Sequence, residues 1–508
     1  MHKWLICSLA TLILGKSIDS DLSDSLTLSE RVLNGSTSDS LLPWTLDNTM
    51  ASPISTALSA YIANSATASI SNEWRGLVHL HILDTIASIV ACRDLEPSTL
   101  ARKYALSLSG GSTGSAAATI AGTNEKASIV DAAFAGAMTG HGAEINDFIP
   151  SAFVQPGPSI VAVALSLAET RGLSGADVIK AVTVGYEIAS RIPKALGNSN
   201  LRNANIANHG VGPTFGAAAA AASLLRLSAD KVDHLWSYCA QQASGSWQWL
   251  LDVEHMEKSF VFAGMGARNG LQAALMVEAG FRGVRNSLDN SAGWLKSKIF
   301  TGGDENLASL TEGLGRRTEL NHTGFKRYPV GGPTQPAIHG LLTLLPNITK
   351  GEVVRAKIAM PGSASAFRDA KMPALNLRYL FAIILLDGRL DFVAAQSLER
   401  MHTDKAVEAL MQKIEVVQDA SQEAPAGQPR PESARIAIDE RSGRRHEIFV
   451  PYVKGYPSHP MAAEDVEQKA LELMTPHLGA VKAQEVVDHV KILDRHPRVD
   501  TLLKLIAR

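Results

Sequence analysis

Residues Gly212–Ser228 read GPTFGAAAAAASLLRLS, a helical run whose middle is six alanines, Ala217 to Ala222. A helix face made of methyl groups lets neighbouring helices come close, because the side chains at a crossing set the interaxial distance. The segments around it carry the same signal. WRGLVHLHILDTIASIVACRD (74–94), GADVIKAVTVGYEIASRIPKAL (175–196) and ARNGLQAALMVEAGFRG (267–283) all place apolar residues at helical spacing, the last ending in glycine. This periodicity predicts a large all-helical domain over residues 51–322.

The character changes near residue 322. GEVVRAKIAMPG (351–362) alternates as a strand does, and NLRYLFAIILLDGRL (376–390) reads as a buried helix stopped by Gly388. AVEALMQKIEVVQDA (406–420) reads as a helix running into a strand. A polar, proline-broken loop, SQEAPAGQPRPES (421–433), precedes a hairpin that turns at Ser442-Gly443. The pattern predicts a smaller α+β domain at 323–455, inserted into the helical one, with C-terminal helices over 456–508 returning to the helical domain. The fold class is therefore mainly α with an inserted α+β lid.

At 508 residues the chain is long enough for two domains, and 45% hydrophobic residues supply a large core. With 48 basic and 50 acidic residues, nothing calls for nucleic acid or an anionic membrane. The three cysteines, Cys7, Cys92 and Cys239, form no CxxC or Cys/His cluster, so a structural zinc site is not expected; a Cys92–Cys239 disulfide stays open. The start, MHKWLICSLATLILGKS, has one lysine before an apolar run from Trp4 to Leu14 and small residues at Gly15 and Ser17. That pattern predicts a signal peptide at 1–17 and the secretory pathway, with a cytoplasmic leader as the alternative, and it is too short for a membrane span. Residues 18–50 read as a leader segment. Asn34, Asn321 and Asn347 begin N-x-S/T sequons, a short pattern that recurs by chance.

Four clusters carry chemistry. HGAEINDFIPSAFVQPGPS (141–159) collects His141, Glu144 and Asp147 before a glycine- and proline-broken loop. Were it a helix end, His141 and Glu144 would share one face, as would Glu144 and Asp147, and two close carboxylates raise one pKa as acid/base work requires. A solvated, capped helix end is the structural alternative. NHTGFKRYPVGGPTQPAIHGLL (321–342) sets Lys326, Arg327 and Tyr328 before a Gly331-Gly332 loop, which suits carboxylate binding or a plain basic turn between domains. His209, in NANIANHGVGPTFG (203–216), precedes a glycine-rich turn at a helix N-terminus. EHMEKSFVFAGMGARNG (254–270) places Lys258 and Arg268 on one helical segment, as site residues or as surface charges. No GxSxG elbow, P-loop or HExxH motif is present, and GSTGSAAATIAG (111–122) does not match GxGxxG, so nucleotide binding is disfavoured.

Together these segments resemble the MmgE/PrpD family over nearly all of residues 52–505. The likeness rests on DAAFAGAMTGHGAEIND, PSIVAVALSLAETRG, VGYEIASRI, KRYP, YLFAIILLDG and VKGYPSHP, taken in their order. The resemblance implies a helical domain with an α+β lid, an active site between them, a homodimer and no cofactor or metal. It is strongest toward the 2-methylcitrate dehydratase branch and is similar to the alkylcitrate dehydratases of fungal secondary metabolism, as in maleidride pathways. The implied activity is a hydro-lyase that dehydrates a citrate-like tricarboxylate by metal-free acid/base β-elimination. The alternatives are a cis-aconitate-type decarboxylase and an inactive polycarboxylate-binding protein. The resemblance places Glu144 or Asp147 as acid/base, and His209 or Tyr328 as the partner that protonates the leaving hydroxyl. Lys326 and Arg327 become the carboxylate clamp, and His141, Gln155, Lys258 and Arg268 line the substrate. Lys258 lies one residue from a common family lysine, where Ser259 aligns. This chain departs from the pattern at Phe148, where a threonine or histidine is common, and at Gln155 and Gln335, each in place of a histidine. A glutamine hydrogen-bonds a carboxylate but shuttles no proton near neutral pH.

Overall fold

A computed structural model describes residues 52–109, 117–290, 292–298, 307–362, 364–424 and 432–508. The signal peptide and leader expected before residue 51 lie outside the described residues. The chain is mainly helical, with a small mixed sheet in its second half.

The helical part begins with α1 (Pro53–Ser65), α2 (Asn72–Cys92) and α3 (Glu96–Ser109). A short antiparallel hairpin follows, β1 (Ala117–Thr119) and β2 (Lys126–Ser128), too brief to show as alternation in the sequence. Then come α4 (Ile129–Gly140), α5 (Gly157–Arg171), α6 (Gly175–Leu196), α7 (Asn208–Leu224), α8 (Ala229–Gln242) and α9 (Met265–Glu278). Serine caps start several of these helices: Ser52, Ser71, Ser128, Ser174 and Ser228 each accept a backbone N–H of the first turn. Ser174 and Asp177 complete a capping box on α6, and Gly172 ends α5 in the left-handed region at φ +63°.

The alanine-rich helix α7 is the axis of this half. All of its residues are buried, and it packs against α5, α6 and α9. At the α6–α7 crossing, a Cβ on Gly216 would lie 2.7 Å from the carbonyl oxygen of Gly185. The two backbones touch, which explains both the glycines and the alanines beside them. Helix α2 is long and apolar enough to cross a membrane, but most of that stretch is buried inside the protein as a core helix. Cys92 and Cys239 are both free and buried, so the disulfide left open by the sequence is not formed.

The lid contains α10 (Gln335–Leu344), β3 (Val353–Met360), α11 (Leu377–Asp387), α12 (Lys405–Met411), β4 (Ile414–Gln418), β5 (Ala434–Glu440) and β6 (Arg445–Val450). The sheet order is β4-β3-β5-β6. β3 pairs in parallel with β4 and antiparallel with β5, and β5 and β6 form the hairpin around Gly443, whose φ of +86° demands a residue without a Cβ. Helix α11 is capped by Asn376 and stopped by Gly388 at φ +74°. The lid has its own apolar core, built on Leu380, Ile383, Ile358 and Ile436. Finally α13 (Ala463–Leu478), α14 (Ala480–Lys491) and α15 (Asp500–Ile506) return to the helical part, with α13 against α2.

The segment 141–147 is not the helix end considered above. Helix α4 stops at Gly140, and His141 is its C-cap. The chain then turns in against α2, where a Cβ on Gly142 would stand 2.8 Å from that of Cys92. The loop meets the lid through an antiparallel bridge: Phe148 N–H donates to Gly324 O at 2.9 Å, and Gly324 N–H returns to Phe148 O at 2.7 Å. Phe148 itself packs with the lid core, its ring 5.0 Å from that of Tyr456.

Gly216→Ala is expected to push the α6–α7 crossing apart and cost about 1–3 kcal/mol. Urea unfolding measures this; an unchanged midpoint would show that the crossing relaxes freely.

Candidate active site

The loop after α4, the segment before α9 and the start of the lid converge on one carboxylate. Glu144 Oε1 lies 2.5 Å from Lys258 Nζ and 3.0 Å from His255 Nε2, and its Oε2 lies 3.2 Å from Lys326 Nζ. All four side chains are buried, with Lys326 and Glu144 each only 1% exposed. Burial pushes the Glu144 carboxyl up, but Lys258, Lys326 and His255 outweigh it and hold the group well below the usual carboxylate range. Burial lowers the Lys326 ammonium, because Glu144 is shared with Lys258 and compensates it only in part. Two ammonium groups around one carboxylate leave a surplus positive charge in a water-excluded place, a setting that attracts an anionic substrate.

Local structure sets these positions. His255 takes the left-handed conformation at φ +62°, uncommon for a non-glycine residue, and starts a helical turn, Met256–Ser259. A π-helical turn, Phe260–Gly264, follows before α9 and shifts the helical phase. Lys258 thereby points inward, its Nζ 4.8 Å from the Trp249 ring centre and 5.1 Å from that of Phe262. Ser259, beside it, bonds His255 Nδ1 and the carbonyls of His141 and His255.

Gln155 closes the cluster: its Oε1 is 2.9 Å from Lys326 Nζ and 2.9 Å from His141 Nε2. Burial takes His141 well below its ordinary pKa, with Glu144 opposing, so the ring is neutral. His209, in the first turn of α7, stacks on Phe262 at 3.9 Å between Trp247 and Trp249. Burial and then the Lys258 charge lower it to about 3, so it too is neutral. The Nδ1 atoms of both histidines are buried without a hydrogen-bond partner.

Four expected site residues stand elsewhere. Asp147 does not share a proton with Glu144. Its Oδ2 accepts from His81 Nδ1 at 2.8 Å and from the Tyr186 hydroxyl at 2.5 Å, and its Oδ1 accepts from Gly157 N–H at 3.2 Å. Burial and Asp147 together hold the Tyr186 phenol well above its usual range, so it stays a donor. Asp147 therefore fastens the loop to α5 rather than serving as acid or base. Tyr328 bonds His339 Nδ1 at 2.8 Å inside the lid, and Gln335 ties down its backbone N–H and C=O. Arg327 pairs instead with Glu472 at 3.0 Å, both side chains partly exposed. Arg268 lies over Phe260 and donates to Asn269, because the π turn rotates it away from Lys258. The Gly331 N–H donates to Ala374 O at 3.1 Å and is not open to a ligand.

Other residues escaped the sequence reading. Besides His255 and His81, Lys469 of α13 is buried, 2.5 Å from Asp84 Oδ1 and 2.7 Å from the carbonyl of Ile145. It braces the loop beside Glu144. The only sequence signals were a histidine and an aspartate, His81 and Asp84, set inside an apolar helix.

Among the described residues, His141, Glu144 and His255 offer three possible metal ligand atoms within 4.8 Å of one another. Their chemistry does not suit a cation: both Glu144 oxygens already face ammonium groups, which would repel a divalent ion.

Comparison with known proteins agrees with this architecture. The model of the MmgE/PrpD N-terminal domain matches residues 56–306, and that of the MmgE/PrpD C-terminal domain matches residues 328–494. A cis-aconitate decarboxylase-like protein of Aspergillus oryzae, oryM, is 25% identical over 363 residues, 66% of this chain and 72% of that protein. A cis-aconitate decarboxylase of Aspergillus terreus is 34% identical over 153 residues, 29% of each chain.

The two neutral histidines fix a pH response. Below the ordinary histidine value of 6.5 the unfolded chain binds protons at positions 141 and 209 that the folded chain refuses until about 3 at His209 and well below 6.5 at His141. Stability is therefore expected to fall as pH drops below 6.5, each group contributing a slope of about 1.4 kcal/mol per pH unit. His209→Phe should remove one proton's worth of that slope in denaturant titrations; an unaltered slope would show that His209 is charged in the fold.

Proposed function

Because the chain belongs to the MmgE/PrpD family, which includes lyases such as cis-aconitate decarboxylase, we propose that it dehydrates a citrate-like tricarboxylate, such as 2-methylcitrate or an alkylcitrate. The observation that carries this reading is the Lys258–Glu144–Lys326 group with neutral imidazoles beside it. Removing a proton next to a carboxylate places charge on that carboxylate, and fixed ammonium groups stabilise it as it develops. The proton passes to a neutral imidazole, His141 or His209. The C–H electron pair becomes the C=C bond, the C–O bond breaks, and the hydroxyl leaves as water with a proton from an ammonium group. Lys326, its pKa already lowered by burial, suits that donation. In the same reading the enzyme is exported, on the evidence of the Trp4–Leu14 run, and works as a homodimer in a specialised, maleidride-type pathway.

The names of the two relatives favour a second reading, loss of CO₂ from an unsaturated tricarboxylate such as cis-aconitate. Decarboxylation needs a proton delivered to carbon, for which Lys326 again serves.

Incubation with citrate, 2-methylcitrate, longer alkylcitrates and cis-aconitate, with products read by mass, separates the two by loss of water or of CO₂. No loss from any of these acids would overturn both. Lys326→Ala is expected to lower kcat by at least about 10²-fold without unfolding the protein. Arg327→Ala, which breaks only an exposed pair, should keep near wild-type turnover; equal damage from both would displace the site from Lys326.

A further inference from the structure

We propose that Gln155 fixes the tautomer of His141, with the proton on Nε2, and so makes Nδ1 the atom that takes the substrate proton. The inference rests on the lyase reading for its catalytic half; the tautomer stands on the hydrogen bonds and on the burial that keeps the ring neutral.

Lys326 Nζ lies 2.9 Å from Gln155 and 3.2 Å from Glu144, and an ammonium group can only donate. The Gln155 atom facing it must therefore be the carbonyl oxygen, because the amide nitrogen would set donor against donor. The same oxygen lies 2.9 Å from His141 Nε2. An oxygen acceptor there requires His141 to carry its hydrogen on Nε2. The ring is neutral, so Nδ1 holds the free lone pair. That atom is buried and has no partner. Buried polar atoms are nearly always satisfied, so an open acceptor on the ring that Gln155 ties to Lys326 is a candidate for a substrate proton.

Packing holds the ring in place. His141 stacks against His255 at 5.2 Å and leans on Phe262 at 4.8 Å, and its own carbonyl accepts from Ser259 at 2.7 Å. His209 has no comparable arrangement: among the described residues no side-chain hydrogen bond chooses its tautomer, and the stacking ring of Phe262 cannot. Of the two neutral imidazoles, only His141 is set in advance as an acceptor. A histidine at position 155 would present either a donor or an acceptor to His141 and leave the choice open. The glutamine makes it one-way, because its oxygen is held by Lys326.

The first test needs no substrate. Nitrogen-15 spectra of histidine-labelled protein, with the His141 signals assigned by subtraction of His141→Gln, should show a protonated Nε2 and a bare Nδ1. A proton on Nδ1 would overturn the proposal. Gln155→Leu should mix or reverse the tautomers and lower kcat by about 10²-fold with KM little changed, whereas Gln155→Glu, which keeps an oxygen acceptor, should retain the wild-type tautomer and lose less. Full turnover in Gln155→Leu would remove His141 Nδ1 from the reaction even if the tautomer is as expected. Should the wild-type protein turn over no tricarboxylate at all, the lyase reading fails, and the spectra still decide the tautomer.

Discussion

One carboxylate shared by two buried lysines holds this molecule's working parts together. Glu144 belongs to the loop after α4, Lys258 to the turn before α9, and Lys326 to the first residues of the lid. Removing Glu144 would leave two buried lysines without their counter-ion, which costs several kcal/mol. The lid is thus held to the helical half by the same charges that would bind a carboxylate. The bridge between Phe148 and Gly324 joins the loop of Glu144 to the lid beside the same cluster.

The helices and the change to an α+β lid were legible because periodicity over ten or more residues reports which face is buried. The hairpin at Gly443 and the stop at Gly388 were legible because each needs a left-handed residue. The hairpin β1–β2 was not, because three-residue strands have no period to read. Within the site, Glu144, Lys258, Lys326, His141 and Gln155 were named and do come together. Asp147, Tyr328, Arg327 and Arg268 were named on spacing and stand apart from Glu144. Spacing fails where the chain leaves regular geometry: the turn after Gly140 separates Glu144 from Asp147, and the π turn separates Lys258 from Arg268. His255 was passed over because its value lies in a backbone conformation that residue type alone does not reveal.

Asp147 changes from reagent to fastener, and this reorganises the view of the loop. Its two oxygens collect α2 through His81, α6 through Tyr186 and the start of α5 through Gly157. A Cβ on Gly157 would lie 2.7 Å from Asp147 Oδ1, so the glycine is needed for the bond to form. The carboxylate that gathers the two lysines and the one that keeps their loop in place thus sit three residues apart.

Lys469 sets an order of assembly. It reaches Ile145 across 324 residues of chain and Asp84 across 385. Contacts so distant in sequence form late, since their loop-closure entropy must be met before they stabilise anything. A nascent chain that has completed both α7 and the lid still lacks the brace beside Glu144, and Asp84 waits in the apolar interior without its counter-ion. The helical half and the lid can each collapse during synthesis, but the reaction centre takes its final shape only when α13 is released and docks.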